Sequence, residues 1–164
     1  MNPAIILVNR HPRLRPAHRQ LELLARKVFS GEHHRGIADV ILSGSKTIRA
    51  LNRRFLKHDY ATDVLSFPFG AKGRPDASGY WGEIYINLDY VNQDAKNHGV
   101  LLKEALAWRL VHGLLHLFGY DHRTKDEVGI MAGREQRYLR YAGFSYLGWK
   151  AQTTRRGRRR TRPC

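Results

Sequence analysis

Residues 101–122 read LLKEALAWRLVHGLLHLFGYDH, and this segment decides the fold. Its apolar residues predict one long helix over 101–118. From Val111 to Phe118 the helix is apolar on nearly every side apart from its histidines and Gly113, which predicts a buried helix. A glycine inside a helix costs about 1 kcal/mol relative to alanine, so Gly113 indicates that another element packs closely against it.

Three histidines in this segment have the spacing of a metal site. An α-helix turns about 100° per residue, so His112 and His116 lie one turn apart on one face. Gly119 can take the left-handed conformation that ends a helix, and the turn can bring His122 to the same point. Three imidazoles at one point, with a fourth position open, are typical of a catalytic zinc site. Nickel, copper and cobalt would also bind, so the native metal is left open.

The same spacing occurs in the zinc peptidases of pattern H-E-x-x-H-x-x-G-x-x-H. Gly113 stands at the position of their general-base glutamate. Without a carboxylate beside the activated water, peptide hydrolysis loses its proton acceptor. A phosphodiester, which already carries negative oxygens, suits a site of metal and cation better. The missing glutamate disfavours a metallopeptidase, and together with the charge described next it points to a nuclease.

The charge of the chain also favours a polyanionic partner. There are 29 Lys and Arg residues against 14 Asp and Glu residues, for a net charge of +15. Six arginines lie in residues 155–164, and the remaining residues 1–154 still carry +9. This balance is typical of proteins that bind RNA, DNA or an anionic membrane. Residues 151–164 offer little apolar surface to bury, so we expect a disordered basic tail.

The rest of the chain predicts one α+β domain over residues 1–150. Strands and helices follow one another without strict alternation. Strands are predicted at 4–8, 37–42, 64–69 and 83–87, and helices at 16–29, 45–55, 90–97, 101–118 and 125–141.

Several classes of protein are disfavoured by composition. The only cysteine is Cys164, so no disulfide framework and no thiolate metal site is expected. No apolar run approaches the roughly 20 residues of a membrane span. Residues 1–8 are apolar but lack a basic n-region, so they predict a first strand and not a signal peptide. A cytoplasmic location fits these features.

Three segments carry a family resemblance. They are His112-Gly113-x-x-His116-Leu117-x-Gly119-Tyr120-Asp121-His122; then Leu51-Asn52 with Asp59 and 62–68 (TDVLSFP); and 82–86 (GEIYI). Together, over roughly residues 40–145, they resemble the YbeY family of bacterial rRNA maturation factors. The resemblance implies a sheet of about four strands flanked by helices, with the metal-binding helix near the sheet. It also implies one zinc ion held by His112, His116 and His122.

The activity implied by the resemblance is a metal-dependent endoribonuclease specific for single-stranded RNA. It would act in 16S rRNA processing, small-subunit maturation and ribosome quality control. The implied partners are 16S rRNA and the small ribosomal subunit, with no membrane. The oligomeric state is left open.

One departure from the family concerns the catalytic cation. Many members have an arginine, thought to contact the substrate phosphate, where this chain has Leu56. The neighbouring cations are Lys57, Arg53 and Arg54. The candidate catalytic residues are Lys57, Arg53, Ser66 and Asp121, and the general base is unassigned.

Two further interpretations follow from the sequence. Glu83 and Glu135 could serve as a base or support a metal ligand, but both are interpreted as exposed or capping acids, because such acids are common. Leu56 keeps an alternative function open, a non-catalytic rRNA- or ribosome-binding assembly factor whose metal is structural.

Overall fold

The computed structural model describes residues 4–144. The elements are β1 (Ile5–Asn9), α1 (His18–Gly31), β2 (Ile37–Ser43), α2 (Ser45–Leu51), β3 (Val64–Pro68), β4 (Tyr80–Asn87), α3 (Leu88–His98), α4 (Leu102–Leu117) and α5 (Lys125–Tyr141). A single π-helical turn, Asn52–Leu56, continues α2. The predicted tail over 151–164 lies outside the described residues.

The four strands form one mixed sheet in the order β1-β2-β4-β3. β2 is parallel to both β1 and β4, whereas β3 is antiparallel to β4. Pro68 ends the edge strand β3, where its missing N–H costs no ladder hydrogen bond. The predicted α+β class and four-stranded sheet are confirmed.

The core lies between one face of the sheet and α4. Val40 on β2 is paired with Ile84 on β4, and both are fully buried against the helical layer. On α4, Leu110 and Leu114 are fully buried, as the apolar character of this helix predicts. Helices α1, α3 and α5 all contact α4. None of the helices within residues 4–144 is long and apolar enough to cross a membrane.

Gly113 marks the closest approach of α4 to the sheet. A Cβ at this position would lie 2.7 Å from Ile84 Cγ2 and 3.3 Å from Ser66 Oγ. The close packing predicted from the mid-helix glycine is therefore observed, and its partners are β4 and β3. This contact holds α4, which carries His112, close to β4 and β3.

The helix predicted over 45–55 changes its geometry at residue 52. Asn52 is buried, and its Nδ2 donates to the Tyr60 carbonyl at 2.8 Å. Lys57, with φ of 61°, ends the π turn in the left-handed conformation. Periodicity does not predict this, because the side chain of Asn52 is held by a carbonyl eight residues further along the chain. The result is that Leu56 lies at the cleft described below.

Candidate metal centre

The three predicted histidines come together at the end of α4. His112 and His116 lie on its last turns, and His122 lies in the loop that follows. One nitrogen of each imidazole lies within 4.8 Å of the other two. Gly119 makes the reversal with φ of 91°, and its N–H donates to the His116 carbonyl at 3.0 Å. The sequence predicts this turn from the glycine, and the structure shows it.

Hydrogen bonds orient two of the rings. His116 Nδ1 lies 3.0 Å from the Tyr120 carbonyl, which can only accept, so this nitrogen donates. His112 Nδ1 lies 2.8 Å from Glu135 Oε1, a carboxylate oxygen that also accepts.

The two Nε2 atoms face each other at 3.0 Å. With both Nδ1 atoms donating, these nitrogens carry lone pairs, which repel unless a cation lies between them. The donor set therefore fits a metal ion. Burial, then the neighbouring His112 and His122 as positive charges, lowers the pKa of His116 to about 4. Its ring is consequently neutral at pH 7, the form that binds metals.

Glu135 supports a histidine of the site, a role that the sequence interpretation considered and disfavoured. It is 4% exposed, and its Oε2 accepts a hydrogen bond from Trp108 Nε1 at 3.1 Å. The expectation of an exposed or capping acid is wrong. A signal was present, since Glu135 has the helical spacing of Met131, Tyr138 and Leu139, which form the buried face of α5.

Asp121 holds the turn that carries the third histidine. Its Oδ1 accepts from the backbone N–H of His122 at 2.8 Å, and its Oδ2 pairs with Arg123 Nε at 2.8 Å. The backbone hydrogen bond from His122 is the main reason that the pKa of Asp121 lies below its usual range. Asp121 also lines the cleft.

An open cleft of about 460 Å³ adjoins the histidines. The other wall is formed by 62–66 at the start of β3, and Ser66 Oγ donates to the Gly113 carbonyl at 3.3 Å. Exposed Leu56 and Lys72 also line the cleft. Two of the four predicted catalytic candidates, Ser66 and Asp121, are thus placed beside the histidines.

The cations next to position 56 are not among the described residues that line the cleft. Within residues 4–144, the lining of the cleft includes neither Arg53 nor Lys57. The guanidinium of Arg54 lies 5.2 Å from the ring centre of Phe55. Among the described residues, none of these three cations belongs to the wall of the cleft beside the histidines.

Arg109 is a buried cation that the sequence interpretation did not single out. It is 2% exposed, and its Nε donates to Asp63 Oδ2 at 3.0 Å. Its Nη2 donates to the buried carboxylate of Asp94. Arg109 thereby fixes Asp63, which lines the cleft.

A second buried carboxylate supports the histidine loop. Glu32 accepts hydrogen bonds from Tyr120 Oη at 2.7 Å, from Tyr138 Oη and from Arg134. Glu32 follows the last residue of α1 directly, whereas Tyr138 and Arg134 belong to α5. Tyr120, whose carbonyl orients His116, is therefore held from two helices.

The fold and this site define an α+β protein with an open cleft and a three-histidine cluster suited to one metal ion. Residues 15–143 match the sequence model of the family described as Endoribonuclease YbeY. The chain belongs to the YbeY endoribonuclease family.

Relatives from several bacteria support this assignment. The Endoribonuclease YbeY of Chlorobaculum parvum is 39% identical over 104 residues, 63% of this chain and 70% of the relative. The Endoribonuclease YbeY of Thermus thermophilus is 39% identical over 116 residues, which are 71% of this chain and 79% of the relative. A solution structure from Thermotoga maritima matches with a TM-score of 0.61 at 25% identity, covering 96% of this chain and 99% of that one.

Proposed function

We propose that this chain is a zinc-dependent endoribonuclease that cuts single-stranded RNA. The observation that carries the proposal is the set of three histidines converging in an open cleft, in a member of this family. His122 is exposed, and an open site suits a catalytic metal better than a closed structural one.

His112, His116 and His122 would hold the ion. A bound divalent ion supplies Lewis acidity, polarising a phosphate oxygen and making water more acidic at neutral pH. Glu135 and the Tyr120 carbonyl keep the lone pairs of His112 and His116 aimed at one point. Ser66 and Asp63 place polar atoms along the opposite wall, where an RNA backbone would lie.

The proposed natural substrate is 16S rRNA, cut during maturation and quality control of the small ribosomal subunit in the cytoplasm. The charge of +15 supports a polyanionic substrate. Phe55 and Tyr60 are 54% and 57% exposed, and in the chain they precede and follow Leu56, which lines the cleft. Exposed rings of this kind stack on unpaired bases, which supports a preference for single strands.

A metallopeptidase is not favoured. The position of the peptidase glutamate is Gly113, and even a Cβ there would lie 2.7 Å from Ile84 Cγ2. A glutamate side chain could be placed there only if α4 moved away from the sheet.

The proposal is tested by metal analysis and RNA cleavage on the same preparations. His116→Ala should lose both bound zinc and cleavage of a single-stranded RNA, whereas His18→Ala, on α1, should retain both. Full cleavage by the metal-free protein would overturn the proposal. If metal-free and metal-loaded protein bind rRNA and support subunit maturation equally well, the protein is an assembly factor with a structural metal.

A further inference from the structure

The charged side chains that line the cleft, apart from the histidines, are Asp63, Lys72 and Asp121. Both carboxylates already have a cationic partner, since Arg109 binds Asp63 and Arg123 binds Asp121. Lys72 is the only lysine or arginine in this lining within residues 4–144, and no ion pair of that region involves it. Lys72, exposed and without an ion pair in that region, therefore belongs to the wall of the cleft that contains the candidate metal centre.

The main chain next to Lys72 is fixed against the histidine loop. Gly73 and Gly119 both have positive φ, 72° and 91°. A Cβ on Gly73 would lie 3.1 Å from the Phe118 carbonyl oxygen, and one on Gly119 would lie 3.0 Å from the Gly73 Cα. The connection between β3 and β4 thus packs backbone to backbone on the turn between His116 and His122.

Hydrogen bonds within this connection also hold its shape. The Arg74 N–H donates to the Ala71 carbonyl at 2.9 Å. Asp76 Oδ1 accepts from the backbone N–H groups of Ser78 at 2.8 Å and of Tyr80 at 3.0 Å. The position of the Lys72 backbone is therefore determined by the fold, and the flexible part is its four-carbon side chain.

We propose that Lys72 binds a phosphate of the RNA in the metal cleft. The two carboxylates of the cleft are already paired with arginines, so a single strand that enters it brings unbalanced negative charges, one per nucleotide. Leu56, which also lines the cleft, offers no charge to balance them. Lys72 supplies the missing cation at a place that the backbone contact with Gly119 fixes. The inference rests on the proposed endoribonuclease function.

The test measures RNA binding and RNA cleavage separately, using zinc-loaded protein and a labelled single-stranded RNA. Lys72→Gln should weaken binding and lower kcat/KM by about tenfold or more, while Lys72→Arg retains most of both. The slope of log affinity against log salt should become shallower by about 0.7 in Lys72→Gln, as for one lost phosphate contact. Lys27→Gln removes an exposed lysine of α1 outside the cleft and should change each quantity less than twofold.

A second substitution distinguishes a phosphate contact inside the cleft from an effect of the protein's net charge. Leu56→Arg restores a cation to the same cleft, so adding it to Lys72→Gln should recover binding, whereas adding a surface arginine on α1 should not. Equal RNA binding by Lys72→Gln and Lys27→Gln would overturn the proposal for Lys72. Lys72-dependent binding without any cleavage would support Lys72 and overturn the endoribonuclease function instead.

Discussion

Glu135 Oε1 lies 2.8 Å from His112 Nδ1, so a carboxylate on α5 orients a histidine on α4. The other oxygen of Glu135 is held by Trp108 Nε1, which also belongs to α4. The carboxylate thus bridges one helix to the other while it selects the tautomer of His112 that leaves Nε2 free for a metal. A hydrogen-bond partner of this kind raises the basicity of a metal-binding histidine and restricts the orientation of its ring.

The first prediction is that Glu135→Gln lowers zinc affinity by about 10- to 100-fold, the usual effect of losing such a partner. The amide can still accept from Trp108, but its NH2 group would then face His112 Nδ1 and favour the wrong tautomer. Competition with a calibrated chelator measures the affinity.

Asp126→Asn serves as the matched control, because Asp126 is exposed on the same helix. Its zinc affinity should stay within about twofold of the original protein. An equal, small effect of both substitutions would show that Glu135 does not orient the ligand.

The sequence predicts the histidine cluster because all three ligands lie within eleven residues, where helical period and one glycine determine their positions. It does not predict Glu135 as their partner, since that contact depends on how α5 packs on α4. Lys72 is missed for the same reason, because it reaches the cleft through the contact of Gly73 with Gly119. The strands are predicted well, since alternation and apolar runs are local signals.

Gly113→Ala should lower the free energy of unfolding by up to about 2 kcal/mol. Alanine gains about 1 kcal/mol in helix propensity, but overpacking a core costs about 1–3 kcal/mol. The Cβ would meet Ile84 Cγ2, a branch methyl of a fully buried side chain that cannot swing away freely. Urea unfolding measures the change.

Gly133→Ala provides the comparison for this substitution. Gly133 is an exposed helical glycine on α5 with nothing within 4 Å of an added Cβ. Alanine there should raise stability by up to about 1 kcal/mol through helix propensity alone. If both substitutions stabilise the protein, the packing of α4 on β4 leaves room for a methyl group at position 113.

Glu32 makes stability depend on pH in the acid range. Burial raises the pKa of Glu32, but hydrogen bonds from Tyr138, Tyr120 and Arg134 outweigh it and hold the pKa below the usual 4.5. Below pH 4.5 the unfolded chain therefore binds a proton before the folded one, so stability falls as pH falls through the folded pKa. Glu32→Gln should lower the free energy of unfolding by about 2 kcal/mol at pH 7. The difference between the two proteins should shrink below pH 4.5.

Unfolding in urea at pH 7, 4.5 and 3.5, with excess chelator in every sample, measures the difference between the two proteins. The chelator removes any contribution of metal release by the histidines. A difference that stays constant over this range would mean that the charge of Glu32 does not stabilise the fold.

The arginines of residues 155–164 should contribute to RNA affinity through their charge. They should not contribute to catalysis. Each arginine that neutralises a phosphate of a single strand adds about 0.7 to the slope of log affinity against log salt. Deleting the segment should therefore make the slope shallower by up to about 4, while kcat at saturating RNA stays unchanged because the histidines are intact. A full-length variant with all six arginines replaced by glutamine should behave like the deletion, which separates charge from chain length. An unchanged slope in both variants would show that these arginines do not contact the RNA.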